Sequence, residues 1–144
     1  MITFLLQTIS IYICSLANTY SLIYLMKKKV WIIEDDPDIG EVISILLTDE
    51  GYDVSLFPNA TMFKNSLPAA DADLMVMDVM LPDGNGIELC HGVKTSDNLA
   101  HVPVLMMSAN KGMSDLNGYY RADDFIAKPF DIDEMVRKVK RLTV

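Results

Sequence analysis

The chain has 144 residues, 51% hydrophobic and 22% charged, which suits one domain with its own core and argues against a disordered chain. Its formal net charge of −8, from 20 acidic against 12 basic residues, argues against the basic face that non-specific nucleic-acid binding needs. The two cysteines, Cys14 and Cys90, lack CxxC or Cys/His spacing, so neither a disulfide framework nor a zinc site is expected and a reducing compartment is the default.

Residues 1–26 contain no charged residue, and Lys27, Lys28 and Lys29 follow at once. The segment is long enough to cross a bilayer, with the lysines holding the remainder inside. Gln7, Thr8, Ser10, Ser15, Asn18, Thr19 and Ser21 nevertheless dilute it. Three readings stand side by side: a membrane anchor, an extraneous leader before a start at Met26, and a helix packed on the domain. A cleavable signal peptide fits poorly, because no basic region precedes the apolar run.

From 27 to 144 the pattern alternates between strand-like and helix-like segments. Val30, Trp31, Ile32 and Ile33 form a buried strand stopped by Glu34, Asp35 and Asp36. A helix over 37–50 follows, with Ile39, Val42, Ile43, Leu46 and Leu47 at helical spacing and Gly51 ending it. A strand over 53–57, a helix from 58 to about 67 and a strand over 74–78 come next, the last apolar until Asp78. Residues 81–86 are rich in turn-formers and lead into a helix over 87–95. A strand over 103–107, a weak helix over 113–120, a strand over 125–127 and an amphipathic helix over 131–142 complete the chain. This rhythm calls for an α/β fold, a five-stranded parallel sheet with helices on both faces.

In such a sheet the strand ends converge on one edge, which is where ligands of open α/β folds bind. That edge gathers Glu34, Asp35, Asp36, Asp78, Ser108 and Lys128. Crowded carboxylates repel unless a cation neutralises them, and a hard divalent cation with oxygen ligands is the usual remedy. The other reading of the triplet is an acidic helix N-terminus, with Asp36 capping a helix opened by Pro37. Asp78 can act as metal ligand and as nucleophile for phosphoryl transfer, with Lys128 and Ser108 stabilising the phosphoryl oxygens.

The stretches VWIIEDDPDI at 30–39, DVMLPDGNGIEL at 78–89, PVLMMSA at 103–109 and ADDFIAKPFDIDEM at 122–135 resemble, in this order, the receiver domain of two-component response regulators. The resemblance runs from 28 to 142 and implies a flavodoxin-like fold of five βα units; with nothing after the final helix, a stand-alone, single-domain type is expected. It implies that Asp35, Asp36 and Asp78, with the backbone carbonyl of Met80, bind Mg²⁺, and that Glu34 supports the metal from behind. It also implies that Asp78 is the phosphoacceptor, served by a sensor histidine kinase or a histidine phosphotransfer protein. Lys128 and Ser108 would contact the phosphoryl group, Ser108 and Phe125 would form the switch, and Pro129 would follow a cis peptide bond. The expected output is docking on a downstream protein target, without direct nucleic-acid binding. The expected location is the cytoplasm, tethered to the membrane only if 1–26 is an anchor.

Departures accompany the match. The segment between Ser108 and Lys128 is about two residues shorter than is usual, and Arg121 stands where the family generally has glycine. Met80 is apolar where a polar residue could orient water, so slow loss of phosphate is expected. Two alternatives remain: a small Mg²⁺-dependent aspartate-nucleophile phosphatase, against which Met80 speaks because such enzymes carry a second Asp there, and a phosphate-independent scaffold. The chain is not expected to be an enzyme beyond its own phosphorylation and slow autodephosphorylation.

Overall fold

The apolar runs that read as strands pair in one direction. In the computed structural model of the chain, which describes residues 2–110, 112 and 121–144, a long helix α1 (Ile2–Leu25) precedes β1 (Lys29–Ile33), α2 (Pro37–Asp49), β2 (Asp53–Phe57) and α3 (Ala60–Ser66). After a 3₁₀ turn (Leu67–Ala69) come β3 (Leu74–Asp78), β4 (Met80–Leu81), β5 (Gly84–Asn85), α4 (Gly86–Thr95), β6 (Val104–Ser108), β7 (Asp124–Ala127) and α5 (Ile132–Leu142). Five strands form one parallel sheet in the order β2-β1-β3-β6-β7. The expected α/β class and strand number are met. The small antiparallel pair β4–β5 falls where turn-rich composition predicts only a loop. The helix expected over 113–120 lies outside the described residues.

Both faces of the sheet are covered, which explains why its central strands are continuously apolar rather than alternating. Trp31, Ile33, Met75, Met77, Val104 and Met106 point to one core, shared with Phe63 of α3 and Cys90 and Val93 of α4. Val30, Ile32, Leu74, Val76, Leu105 and Met107 point to the other, with Ile43 and Leu47 of α2 and Met135 and Val139 of α5. Each fully buried side chain of this size stabilises the fold by roughly 1.5–3 kcal/mol. The methionines of β3 and β6 are core filler, as their position in the strands suggested.

Helix ends follow local chemistry. Asp36 caps α2 by accepting from the N–H groups of Asp38 (2.9 Å) and Ile39 (3.2 Å). At the other end Gly51 takes φ 93°, its N–H bonding the Thr48 carbonyl while the Tyr52 N–H bonds that of Leu47, a Schellman closure. Arg121 has φ 59°, so the turn where glycine was expected is left-handed and costs this residue about 1–2 kcal/mol. The Lys128–Pro129 peptide is cis, as anticipated.

Helix α1 is 24 residues long, and its described large apolar side chains, from Ile2 to Ile23, are exposed. Among the described residues no helix is long and apolar enough to cross a membrane.

Burial pushes the Cys90 thiol up to about 11, whereas Cys14 is exposed on α1. A thiol-reactive chromogenic disulfide at pH 8 is therefore expected to titrate one thiol promptly in the native protein and the second only after unfolding. Two prompt thiols would show that the α4 core is open.

Candidate functional site

Strand register decides which of the acidic side chains meet. Ile33 pairs with Met77 across β1 and β3, so Glu34, one residue further, lies beside Asp78. Asp78 in turn pairs with Met107, which puts Ser108 one step past it, and Ser108 pairs with Ala127, one step before Lys128. The Lys128 N–H donates to the Ser108 carbonyl at 2.8 Å. The chain winds from β1 to β2 in one direction and from β3 to β6 and β7 in the other, so the β1/β3 boundary is the topological switch point where α/β sheets open a crevice.

Lys128 Nζ lies 2.5 Å from Glu34 Oε2 and 2.6 Å from Asp78 Oδ2. Glu34 is 2% exposed and Asp78 6%. Among the described residues no buried side-chain nitrogen or oxygen lacks a partner. The other oxygen of Glu34 accepts from the Asp36 N–H at 3.1 Å, and that of Asp78 from the Met80 N–H at 3.1 Å. Burial pushes the Glu34 carboxyl up, and the bonds from Lys128 and the Asp36 N–H pull it part-way back. Burial disfavours the Lys128 charge, but its bonds to Asp78 and Glu34 outweigh that and leave its pKa raised.

Oxygens of Glu34, Asp35 and Asp78 lie within 4.8 Å of one another, a grouping that differs from the ligand set expected from sequence. Asp36 was expected to bind metal, yet its carboxylate is engaged at the α2 N-terminus and it is absent from the cluster. Glu34, expected to stand behind the metal, is a member. The physical reason is the register: the first residue past β1 still points along the sheet edge, and two residues later the chain has turned into the helix. Asp35, Asp78, Ser108 and Lys128 are where the sequence placed them. Met80 has its N–H on Asp78, with an exposed side chain (75%). Ser108 is buried at its strand end, its hydroxyl accepting from the Asn110 N–H at 3.0 Å. Phe125 is packed as a core residue on the α3/α4 side.

Two supporting residues escaped the sequence reading. A Cβ on Gly86 would come within 1.9 Å of the Asp78 carbonyl oxygen, so only glycine allows α4 to start this close to Asp78. Asp83, in the β4–β5 turn, accepts from the Ala60 N–H (2.7 Å), the Thr61 N–H (2.9 Å) and the Thr61 hydroxyl (2.5 Å). It thereby fastens the loop after Asp78 to the start of α3. The only signal in the sequence is the turn-rich composition of 81–86.

The comparisons with known proteins bear on this geometry. The family model of the response regulator receiver domain matches residues 30–140. The chain belongs to that family. The receiver is 34% identical over 116 residues to the DNA-binding dual master transcriptional regulator RpaA of Synechocystis, covering 79% of this chain and 48% of that protein. It is 30% identical over 117 residues to the DNA-binding response regulator MtrA of Mycolicibacterium smegmatis, covering 80% and 50%. The chain thus spans about half the length of these curated relatives, whose DNA binding is a property stated of them. Among solved structures, a putative response regulator from Chloroflexus aurantiacus superposes with a TM-score of 0.76 at 25% identity, covering 81% of this chain and 98% of that one. The response regulator TrrA of Thermotoga maritima, in complex with Mg²⁺ and BeF, gives 0.71 at 26% identity over 80% and 98%. The fold is the flavodoxin-like receiver fold, and the domain acts in two-component signalling.

The Thr61 hydroxyl bond, ahead of the backbone N–H groups, holds the Asp83 carboxyl below its ordinary range. A group depressed on folding contributes stability above its unfolded pKa and loses it as pH falls through the folded value. Asp83→Asn is therefore expected to melt below wild type at pH 7, with the gap closing under acid as the wild-type carboxylate protonates. A gap in the melting temperature that persists unchanged at low pH would refute this role.

Proposed function

We propose that Asp78 is the phosphoacceptor of this receiver and that its phosphorylation, with Mg²⁺ bound, switches a surface docking on a downstream protein. The observation that carries the reading is one ammonium, on Lys128, set between two buried carboxylates at the switch point, with a third carboxylate within reach. The oxygen donor set of Glu34, Asp35 and Asp78, together with the Met80 backbone, fits a hard divalent ion. When bound, Mg²⁺ offsets the negative charge of the carboxylates and of an incoming phosphoryl group.

The transfer itself falls to Asp78. One of its oxygens attacks the phosphorus of a phosphohistidine, the new O–P bond forms as the N–P bond breaks, and the imidazole leaves with the electron pair. Lys128, half-buried and charged, is already at the Asp78 carboxylate and pairs with the phosphoryl oxygens. The Ser108 hydroxyl, at the end of the neighbouring strand β6, is the second hydrogen-bond donor. The phosphoryl group brings about −1.5 to −2 charge, and Ser108 and Phe125 moving together would carry this change to the surface beside β7 as a population shift. A histidine kinase or phosphotransfer protein is the donor, and the cytoplasm is the compartment. No turnover enzymology is assigned, because position 80, two residues past the nucleophile, holds methionine and not a second acid.

The test is incubation with Mg²⁺ and a small phosphodonor, followed by mass spectrometry for an acid-stable, base-labile adduct. Wild type and Asp36→Asn are expected to label, Asp78→Asn to remain unlabelled, and Glu34→Gln to need at least about tenfold more Mg²⁺. No adduct on wild type would leave a phosphate-independent scaffold, and multiple turnover of a phosphate ester would make the chain a phosphatase.

Met80, with its exposed thioether at the mouth of the site, cannot orient a water for attack on the aspartyl-phosphate. Met80→Asn is expected to shorten the phosphate lifetime several-fold, measured by decay of the labelled protein after donor removal. An equal or longer lifetime in the variant contradicts this.

A further inference from the structure

The described large apolar side chains of α1 are exposed, and they are ordered along the helix. Ile2, Leu6, Ile9, Ile13, Leu16, Tyr20 and Ile23 follow one another at spacings of 4, 3, 4, 3, 4 and 3, the alternation of a heptad seam. In heptad terms Leu6, Ile13 and Tyr20 are a positions, and Ile2, Ile9, Leu16 and Ile23 are d positions. All seven are between 48% and 81% exposed. The diluting polar residues Gln7, Thr8, Ser10, Ser15, Asn18, Thr19 and Ser21 avoid the seam without exception.

We propose that α1 is a coiled-coil segment through which copies of this chain associate. Three observations single out another copy as the occupant. The 3-4 spacing keeps the seam facing an identical helix over its whole length. With no charged residue between 2 and 25, self-pairing meets no like-charge repulsion. At roughly 60–120 Å² per large apolar side chain, two such seams bury about 1,000 Å², the order that a stable interface needs. A lipid surface is a poorer match. Among the described residues no helix is long and apolar enough to span, and of the lysines that follow α1 Lys28 lies 3.8 Å from Asp73 and Lys29 is bonded to Asp71, which blunts attraction to anionic headgroups. Isoleucine at three of four d positions disfavours a two-stranded parallel coil. Leu5 and Tyr12, exposed beside the seam, widen it for further neighbours, so three or four chains are expected.

The experiment is sedimentation equilibrium of the full chain without detergent, with co-sedimentation on phosphatidylcholine–phosphatidylglycerol vesicles in parallel. Wild type is expected at three to four times the 16.1 kDa chain mass. Alanine keeps helix propensity high, so paired truncations probe the face and not the helix. Ile9→Ala with Leu16→Ala, on the seam, is expected to weaken association at least about 100-fold. Ile11→Ala with Leu22→Ala removes similar apolar surface off the seam and is expected to change it less than about threefold. A monomeric wild type, equal effects of the two pairs, or a monomer that binds vesicles would each overturn the proposal. The result is independent of Asp78 chemistry, since Asp78→Asn is expected to sediment as wild type does.

Discussion

A single ammonium group is the point on which the receiver's functional edge depends. Glu34 and Asp78 are both almost fully buried and belong to neighbouring strands, so their charges stand side by side in a poorly solvated space. Lys128 bonds both at once and offsets one of the two negative charges, and removing one partner of such a buried pair typically costs about 3–5 kcal/mol because the remaining charge is left unmatched. The same contact joins strand ends 94 and 50 residues apart in sequence, so the chemistry exists only when the sheet is fully assembled. Site and fold are in that sense one cooperative object.

The rest of the molecule can be understood as support for that edge. Two apolar layers hold the strands in register, and register alone determines that Glu34, Asp78, Ser108 and Lys128 emerge within a step of one another. The loop after Asp78 is held from two sides, by the space that Gly86 leaves for the Asp78 carbonyl and by the bonds from Asp83 to the first residues of α3. A nucleophile on a loose loop would spend much of its time away from Lys128. Here its backbone has little freedom to drift.

Strands with both faces covered are legible because their sequences are continuously apolar, and the residue that interrupts each run marks the functional edge. Asp78, Ser108 and Lys128 stand out on that ground in the sequence alone. The acidic triplet could not be divided on the same grounds. Three carboxylates in a row look alike in one dimension, and only the pairing of Ile33 with Met77 and the turn into α2 send Glu34 and Asp35 to the site and Asp36 to the helix cap. Asp83 was hidden for a related reason. Its partners, Ala60 and Thr61, lie in a different loop, and turn composition reports that a chain bends but not what it bends toward. The Arg121 turn was legible as an oddity because a bulky residue occupied a position that favours glycine.

Trp31 is the only tryptophan of the chain, and it is 6% exposed on β1, three residues before Glu34. Its ring lies 4.7 Å from that of Phe57 and 6.2 Å, edge-on, from that of Phe63. All three belong to the layer beneath α3 and α4. The intrinsic fluorescence of this receiver is consequently a one-sided instrument. It reads events that reach the α3/α4 layer, including movement of the strand that delivers Glu34, and is nearly blind to changes confined to the α2/α5 layer on the other side of the sheet.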